Sequence, residues 1–518
     1  MKNIIPAASL GPPLTIERSA SIDEALNLFS LSGEDLLIVL EKGNYVGVLS
    51  RRTLTNAKRY NLQVSLSDIL EEIPVGEYLP ELEFLKNPLG AFLLLKNNVP
   101  QSLITLGESP IFENHFEKMV VEIEGDLKTL ADIINETATA LDISVYLVGG
   151  VVRDLVIGQP CFDIDLVVTE KAEEFAKNLA RALRGKIVKK SLFGTFKIEA
   201  GDYVFDVAQA RWEYYEAPAK LPKVAPGPLR QDLWRRDFTI NALALYPENS
   251  LIIDLYGGLA DIFARKLRVF HVLSFVEDPT RIFRAARYTT RFNLELTGTT
   301  IRALELALKL EVLNLLTPAR LRNEFLRILE ERDPVAPLLF LQKHKVLHQL
   351  FSLTLEENEI KSSLYLAEKA GLDIREKLEL LALLYAGTPE EFAKLELSPQ
   401  KFENYQKQLK ILAEKRSWFF DSRVSLSEKV FFLEKFPKVI LCAAASFLEE
   451  DFLLRCFKNY FKVKPGLSGE DLKKLGFKSG PLLGEMLKRL RAAKLDGQIK
   501  DGEEEIFLKK ELGDGFSS

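Results

Sequence analysis

The stretch of sequence that decides the fold is LVGGVVRDLVIGQPCFDIDLVV (Leu147–Val168). Its first residues belong to an apolar run, VYLVGG (Val145–Gly150), that predicts a buried strand, and its last residues, DIDLVV (Asp163–Val168), predict another. Between the two strands, a helix is predicted to open at Val151. The order strand, helix, strand indicates an α/β domain.

On either side of this stretch, the sequence predicts further elements of the same α/β domain, and after that domain it predicts only helices. Three further segments with helix or strand patterns are ADIINETATALD (131–142), TFKIEA (195–200) and YVFDVA (203–208). We therefore expect the α/β domain to span residues 119–255. From Gly257-Gly258 to Leu512, nearly every segment has helical periodicity, which predicts an all-α second half.

The N-terminal residues predict a separate, small α/β unit. A helical pattern at Ser21–Gly33 is followed by the apolar strand LLIVL (Leu36–Leu40) and the strand YVGVLS (Tyr45–Ser50), which leads into a helix. Residues 71–118 carry only weak strand and helix signals and are left without a detailed assignment.

Composition bounds the class of protein. At roughly 150 residues per domain, 518 residues predict three or four domains, and 47 % hydrophobic with 28 % charged residues excludes a largely disordered or collagenous chain. The formal charge of −5 gives no overall cationic field to hold the chain on nucleic acid or anionic lipid, so any RNA or DNA contact must come from local patches. Three cysteines without a CxxC pair support neither a disulfide framework nor a zinc ribbon, and no uncharged run is long enough to span a membrane. We expect a cytoplasmic protein without a membrane segment.

Two carboxylates follow each other at alternate positions of the second strand. Side chains two residues apart on a strand share a face, so Asp163 and Asp165 are predicted to project in the same direction, about 7 Å apart. A hard cation such as Mg²⁺ would explain this pair of like charges, because it takes carboxylate and phosphate oxygens. The alternative is a solvated face of an edge strand, since carboxylates are common on surfaces.

A glycine turn precedes the carboxylate pair. Gly149-Gly150 ends the first strand, and a tight turn of this kind before a helix lets backbone N–H groups approach a phosphate, with Arg153 adding positive charge. The chain contains no GxxxxGK or GxGxxG motif that would suggest another nucleotide-binding fold. Turn and carboxylates together are typical of a triphosphate site.

These motifs, with six others in a fixed order, resemble those of the bacterial and eukaryotic tRNA nucleotidyltransferases and the related bacterial poly(A) polymerases. The further motifs are LFGT (192–195), DVAQAR (206–211), RRDFTINALAL (235–245), DLYGGLADI (254–262), EDPTRIFRAARY (277–288) and RLRNEFLRIL (320–329). The resemblance implies a polymerase-β-like nucleotidyltransferase head (119–255), a helical neck with a nucleotide-selecting motif (256–335), and a helical body and tail (336–518) that bind RNA.

The resemblance also implies catalytic roles. Asp163 and Asp165 would hold two Mg²⁺ ions for the attack of an RNA 3′-hydroxyl on the α-phosphate of ATP or CTP. Asp206 stands where a third carboxylate is often found, although it could instead form a structural ion pair. Arg236 would contact the triphosphate with Asp237 as its orienting partner, the alternative for Arg236 being a surface salt bridge.

An arginine-rich helix follows Glu277-Asp278-Pro279. These three residues first indicate a helix start, with Asp278 as N-cap and Pro279 at the first helical position. The helix then carries arginines at spacings of three, three and four without an intervening acid, which places four guanidiniums on one face: Arg281, Arg284, Arg287 and Arg291. We expect an anion opposite them.

The resemblance assigns Asp278 and Arg281 to the Watson–Crick edge of the incoming nucleotide, and Arg284 and Arg287 to its phosphates. A carboxylate only accepts hydrogen bonds and a guanidinium only donates them. The pair therefore matches C and A, which offer an amino group beside a ring-nitrogen acceptor, and it disfavours G and U, which put a carbonyl against Asp278. No nucleic-acid template is needed for such a choice.

The two ends of the chain carry the remaining predictions. Between Lys462 and Lys500, ten basic residues stand against four acids, which predicts either an RNA-binding surface or merely a soluble helical one. The first 70 residues resemble one cystathionine-β-synthase-type (CBS) repeat, so residues 1–118 are predicted to form a CBS-like module with a degenerate second half. Ser50-Arg51-Arg52 is followed by Thr53 rather than an acid, which favours packing or homodimer formation over adenosyl-ligand binding.

The sequence predicts a tRNA nucleotidyltransferase that adds the 3′-terminal A or CCA to tRNA from ATP and CTP. A poly(A) polymerase is the alternative, because the chemistry is shared and only the primer differs. A catalytically silent RNA-binding or nucleotide-sensing protein is the alternative from another class, and the presence of Asp163, Asp165, Asp278 and Arg281 together speaks against it.

Overall fold

The computed structural model of the protein describes residues 13–78, 82–105, 125–190 and 194–512. The chain divides into two compact units, residues 1–316 and residues 317–518. Within the described ranges, no helix is both long and apolar enough to cross a membrane. Leu192 and Phe193 of the LFGT motif lie outside the described residues, as does the whole of the segment 106–118.

The N-terminal module contains two three-stranded sheets with the same pattern of pairing. Its elements are β1 (Thr15–Glu17), α1 (Ile22–Ser32), β2 (Leu36–Glu41), β3 (Asn44–Ser50), α2 (Arg51–Arg59), β4 (Val75–Gly76), β5 (Ala91–Lys96) and β6 (Val99–Thr105). In each sheet the first strand is parallel to the second, and the second is antiparallel to the third. Side chains from both sheets share one apolar core that includes Ile38, Val48 and Leu93.

The predicted elements of the first half of this module are confirmed. Helix α1 begins after Ser21, whose hydroxyl accepts from the Glu24 N–H while Glu24 bonds back to Ser21, and it ends at Gly33 with φ of 75°. The second half, which the sequence left unassigned, forms the sheet of β4, β5 and β6. Only β4, with two residues, is short, whereas β5 and β6 are as long as β2 and β3.

The α/β domain is built on a seven-stranded sheet. Its elements are α3 (Gly125–Thr139), β7 (Val145–Val148), α4 (Gly150–Val156), β8 (Asp163–Val168), α5 (Ala172–Ala182), β9 (Lys186–Lys190), β10 (Phe196–Ala200), β11 (Tyr203–Gln209), β12 (Arg211–Tyr214), β13 (Lys223–Pro226), α6 (Leu229–Trp234), β14 (Leu243–Tyr246), β15 (Leu251–Asp254) and α7 (Gly258–Phe263). The strand order is β15-β14-β7-β8-β11-β10-β9, with β12 and β13 forming a separate hairpin. Only β8 and β11 pair in parallel.

The position of β8 in this sheet explains its sequence. Its neighbours are β7 and β11, so both of its edges are paired and the solvated edge strand of the alternative interpretation is excluded. Ile164, Leu166 and Val168 point into the core with α5, whereas the alternate positions at the start of the strand carry the aspartates. One face of β8 is therefore polar, and this polar part is confined to the first residues of the strand.

The rest of the first unit is mostly helical. It comprises β16 (Lys266–Leu267), α8 (Ser274–Glu277), α9 (Thr280–Phe292), β17 (Glu295–Leu296) and α10 (Gly298–Lys309). Helix α9 begins one residue later than predicted: Pro279, not Asp278, occupies the N-cap position. The Asp278 carboxylate nevertheless accepts from the Thr280 N–H at 3.1 Å, so it satisfies one N–H at this end of the helix.

The second unit is all-α in its described residues, as the sequence predicts. Its helices are α11 (Pro318–Leu329), α12 (Val335–Lys343), α13 (Val346–Leu350), α14 (Glu357–Ala370), α15 (Ile374–Tyr385), α16 (Pro389–Ala393), α17 (Pro399–Glu414), α18 (Arg416–Phe420), α19 (Leu426–Leu433), α20 (Lys438–Ala443), α21 (Glu450–Lys458), α22 (Gly469–Lys474), α23 (Pro481–Leu495) and α24 (Glu504–Leu512). The last three helices share a small core that includes Leu472, Leu490 and Leu508.

Candidate active site

Three carboxylates lie on one face of the seven-stranded sheet. Asp163 and Asp165 stand on either side of Ile164, which is only 1 % exposed and packs in the core, so the two aspartates share the opposite face. Asp206 of β11 is paired in register with Asp165 of β8. Partners in register on adjacent strands project from the same side of a sheet, and Asp206 therefore joins the pair.

The surroundings of Asp165, which include the other two carboxylates, make its ionised form unfavourable. Burial raises the pKa of Asp165, and Asp206 and Asp163 raise it further, while Arg236 opposes them. A divalent cation would relieve this repulsion, and carboxylate oxygens are the ligands that Mg²⁺ takes. Within the described residues, no three or more His, Cys, Asp or Glu side chains are arranged to hold an ion by themselves.

Asp206 also has a protein partner. The ammonium nitrogen of Lys197, on the neighbouring strand β10, lies 3.7 Å from Asp206 Oδ2, and both side chains are about 39 % exposed. The structural ion pair that the sequence left open thus exists, but with Lys197. An exposed ion pair of this length contributes little stability, so the pair with Lys197 does not by itself explain why an aspartate stands at position 206.

Gly149 brings the backbone close to this carboxylate group. It has φ of 79°, a conformation that favours glycine, and a Cβ atom at this position would lie 2.5 Å from Nη1 of Arg236 and 3.3 Å from Oδ2 of Asp165. Glycine here therefore leaves the space that the Arg236 guanidinium occupies beside Asp165. Gly150 begins helix α4, and a Cβ there would make only an ordinary contact.

Arg236 and Asp237 are held by a buried network rather than a surface pair. Arg236 Nη2 donates to Asp232 Oδ2 at 3.2 Å, and the Asp232 side chain is fully buried. Burial alone would raise the pKa of Asp237, but the Arg284 guanidinium, 3.1 Å away, and the donors Asn241 and Phe238 N–H together lower it. The surface salt bridge considered for Arg236 is excluded by this burial.

Of the two residues assigned to the base, Arg281 lies in the first turn of helix α9 and Asp278 lies just before the helix. Arg281 is 6 % exposed and donates from Nη1 to Ser274 Oγ at 2.7 Å and from Nη2 to the Arg235 carbonyl at 3.0 Å and Tyr215 Oη at 3.5 Å. These bonds hold the plane of its guanidinium in one orientation. Asp278 is fixed by two bonds from Thr280 to its Oδ1.

One cavity of about 700 Å³ brings most of these groups together. Ten cationic side chains and five carboxylates line it, and all four arginines of the helix α9 face are among them, as the spacing predicted. Both Asp165 and Asp206 line it, whereas Asp163 is exposed at the start of β8 and does not. A polar cavity of this size with excess positive charge suits a nucleoside triphosphate.

Arg153 lies in the cavity wall but is engaged with protein groups. Its guanidinium bonds to Asp154 Oδ1 and Asn241 Oδ1 and lies 4.4 Å from the ring centre of Phe292. Its predicted contact with a phosphate remains a prediction.

Sequence reasoning missed several residues that build this site. Asp232 could have been found from its spacing to Arg235 and Arg236, since i to i+3 and i to i+4 pairs meet on a helix. Tyr215, whose hydroxyl meets Arg281, and Lys197 carry no local signal, because their partners are distant in sequence or on another strand.

Comparison with known proteins places the site in context. Residues 145–268 match the family described as "Poly A polymerase head domain". The A-adding tRNA nucleotidyltransferase of Geobacter sulfurreducens is 28 % identical over 97 % of this chain and 64 % of its own length. That of Aquifex aeolicus is 37 % identical over 44 % of this chain and 28 % of its own length.

A solved structure of a CCA-adding enzyme in an apo form is 31 % identical in sequence, with a TM-score of 0.64. The alignment covers 75 % of this chain and 96 % of that one. The chain thus spans less than two thirds of the two curated relatives but nearly all of the solved structure.

Proposed function

The chain belongs to the family of tRNA nucleotidyltransferases and bacterial poly(A) polymerases, and we propose that it adds the 3′-terminal A or CCA to tRNA from ATP and CTP without a nucleic-acid template. The observation that carries this proposal is the single cavity that combines Asp165 and Asp206 with the arginines of helix α9. Such a cavity offers metal ligands, triphosphate ligands and hydrogen-bonding groups for a base in one place.

The reaction is a nucleotidyl transfer. The 3′-hydroxyl oxygen of the RNA forms a bond to the α-phosphorus of the nucleotide, and the bond from that phosphorus to the bridging oxygen breaks, so that pyrophosphate leaves. Asp163 and Asp165, with Asp206 as a further carboxylate, would hold Mg²⁺, which when bound neutralises charge on the attacking and leaving oxygens. Arg236, oriented by Asp232, and the exposed face of helix α9 bind and orient the triphosphate.

Asp278 and Arg281 select the base. The bonds that Arg281 donates to Ser274, Arg235 and Tyr215 use three of its five N–H groups, and these bonds fix the directions of the others. The carboxylate of Asp278 accepts from an exocyclic amino group, and Arg281 donates to the adjacent ring nitrogen. A base that presents a carbonyl to Asp278 loses this bond and sets two hydrogen-bond acceptors against each other.

Addition of a single A to tRNA ending in CC is the favoured form of the activity, because both curated relatives compared above are named A-adding enzymes. The experiment incubates the purified protein and Mg²⁺ with tRNA ending before CCA, tRNA ending in CC, and unstructured RNA. Each receives single nucleoside triphosphates and then ATP with CTP. One defined addition to tRNA ending in CC supports this form, and three additions to the shorter tRNA support the CCA form.

Long adenosine tails on any of these RNAs would instead identify a poly(A) polymerase. Absence of extension on every RNA, with intact nucleotide binding, would identify a silent nucleotide-binding protein and contradict the proposal.

The second unit supplies the surface proposed to bind RNA. Lys478 before α23 and Lys488 in the middle of it are exposed, whereas Arg489, Arg491 and Lys494 are paired with Glu485, Glu434 and Glu504. The exposed members of the basic segment 462–500 are therefore the proposed phosphate contacts.

The N-terminal module is proposed to be CBS-like, with its second half a reduced copy of the first. Support comes from the shared pairing pattern of the sheets β1-β2-β3 and β4-β5-β6. A homodimer through this module is a further proposal, tested by the mass of the purified protein in light scattering.

A further inference from the structure

The N-terminal module contacts the nucleotide-selecting motif through helix α2 and the residue that follows it. Asn56 Nδ2 donates to Glu277 Oε1 at 3.0 Å, and the Tyr60 hydroxyl lies 2.9 Å from the same oxygen. Glu277 directly precedes Asp278, one of the two residues proposed to select the base. These contacts join positions more than 200 residues apart in the sequence.

Glu277 is buried, and its charged form is favoured by Arg52 of helix α2 and by these donors. Its side chain is about 4 % exposed, and its other oxygen, Oε2, lies 3.4 Å from Nε2 of His271. Burial lowers the pKa of His271 well below its ordinary value, so this ring is neutral near pH 7 and does not supply a full positive charge. A buried carboxylate must be hydrogen-bonded, and the described side-chain hydrogen bonds to Oε1 come from the N-terminal module.

The N-terminal module is also connected to Arg281, through hydrogen-bonding contacts of Tyr215. The Tyr60 hydroxyl lies 3.1 Å from the carbonyl oxygen of Tyr215, and the hydroxyl of Tyr215 accepts from Arg281 Nη2 at 3.5 Å. Tyr60 therefore touches both Glu277, which leads to Asp278, and Tyr215, which meets Arg281. A displacement of Tyr60 would reach both members of the proposed base-selecting pair.

The module has other anchors that do not involve Glu277. The buried carboxylate of Glu71 accepts from Thr53 Oγ1 and from the Val272 N–H, and Arg302 Nε donates to the Leu70 carbonyl at 2.9 Å. Lys309 bonds to Asp68 at the surface. Removal of the Asn56 or Tyr60 polar groups therefore leaves most of the contact between the module and the rest of the unit in place.

We propose that Asn56 and Tyr60 are positioning residues of the base-selecting site, so that the N-terminal module helps to set which nucleotide the enzyme accepts. The proposal rests on the proposed function. The two residues act through Glu277 and Tyr215 on Asp278 and Arg281, and they need not touch the nucleotide themselves. The module is then a working part of the active site and not only a separate folding unit.

The test compares Asn56→Ala, Tyr60→Phe and the double variant with two controls. Lys58 lies on α2, as Asn56 does, and Lys58→Ala removes its exposed ion pair with Asp23 of α1. Lys309→Ala removes the ion pair with Asp68, a contact of the module that does not involve Glu277. For each protein, kcat and KM are measured with ATP, CTP, GTP and UTP, together with the thermal unfolding temperature. In the double variant we expect the preference for the accepted nucleotide over GTP to fall by roughly tenfold, with both controls unchanged.

An unchanged nucleotide preference in the double variant would overturn the proposal. A loss of rate that is equal for all nucleotides and follows a lowered unfolding temperature would overturn it as well, because that is the effect of a merely structural contact. If the wild-type protein extends no RNA, the proposed function fails, and the affinities for ATP and GTP are measured directly. In that case, a ratio of affinities that Asn56→Ala and Tyr60→Phe change still supports the positioning role, and an unchanged ratio refutes it.

Discussion

Asp165 and Asp206 face each other in register across the parallel strands β8 and β11, the one parallel pair of the seven-stranded sheet. The pairing puts two like charges side by side at a point where burial already raises the pKa of Asp165. Such an arrangement costs stability. The proposed function accounts for it, because a cation bound between these carboxylates would relieve their repulsion.

Replacement of Asp165 by alanine is expected to reduce nucleotide addition by about a thousandfold or more, because the carboxylate proposed to hold Mg²⁺ is removed. The affinity for tRNA should change little. Single-turnover extension and filter binding measure the two quantities. Asp202→Ala is the matched control, an exposed acid in the turn between β10 and β11, and it should retain full activity. Near-normal turnover in Asp165→Ala would remove this residue from catalysis.

The role of Asp206 is decided by comparing Asp206→Asn with Lys197→Ala. If Asp206 is a metal ligand, its variant should lose at least about a hundredfold in kcat, whereas loss of the 3.7 Å pair to Lys197 should cost little. Titration of activity with Mg²⁺ should also shift to higher concentrations in Asp206→Asn alone. Equal losses in the two variants would instead make the ion pair the important feature.

Replacement of Gly149 by alanine should raise the KM for the nucleotide and destabilise the protein by about 1–2 kcal/mol. The new Cβ would collide with the Arg236 guanidinium, 2.5 Å away, in addition to the strain of its positive φ. Gly201→Ala is the control, because Gly201 also has positive φ but has no atom within 4 Å of the added Cβ. Both variants are compared in steady-state kinetics and urea unfolding. The amount by which the effect of Gly149→Ala exceeds that of Gly201→Ala measures the cost of the collision with Arg236. Equal effects would show that strain alone matters.

The sequence predicted the parts of the site that depend on the spacing of residues within one strand or one helix. Alternate positions put Asp163 and Asp165 on one face of β8, and steps of three and four put Arg281, Arg284, Arg287 and Arg291 on one face of α9. The bond from Asn56 to Glu277 joins two distant segments, and no periodicity reports it. The second sheet of the N-terminal module was left unassigned for a different reason: turn-forming residues such as Pro74, Pro88 and Pro100 stand in or between its strand segments and weaken their pattern.

Arg281→Lys should relax base selection more than it lowers total activity. The lysine keeps the positive charge but loses the planar fork whose orientation Ser274, Tyr215 and the Arg235 carbonyl fix. We expect incorporation of G and U relative to A to rise by roughly tenfold in competition assays. An unchanged preference would contradict selection by the protein side chains. Arg416→Lys, at the first residue of α18 in the second unit, provides a control with the same chemical change.

The pH dependence of stability should show the network around Asp237. The balance of burial against Arg284, Asn241 and the Phe238 N–H lowers the pKa of this carboxyl. A depressed folded-state pKa means that the stabilisation is complete above the unfolded-state pKa of about 3.9 and is lost as the pH falls through the lower folded-state value. We therefore expect Asp237→Asn to destabilise the protein by about 2 kcal/mol at pH 7, and the difference from the wild type to shrink below about pH 4.

The change in the free energy of unfolding is followed by tryptophan fluorescence in urea, since Trp212 and Trp234 both lie in the first unit. Asp202→Asn provides the control for loss of an exposed carboxylate. A difference between Asp237→Asn and the wild type that stays constant from pH 7 to pH 3 would show that the ionised carboxylate of Asp237 is not what stabilises this network, because only an ionised group loses its contribution on protonation.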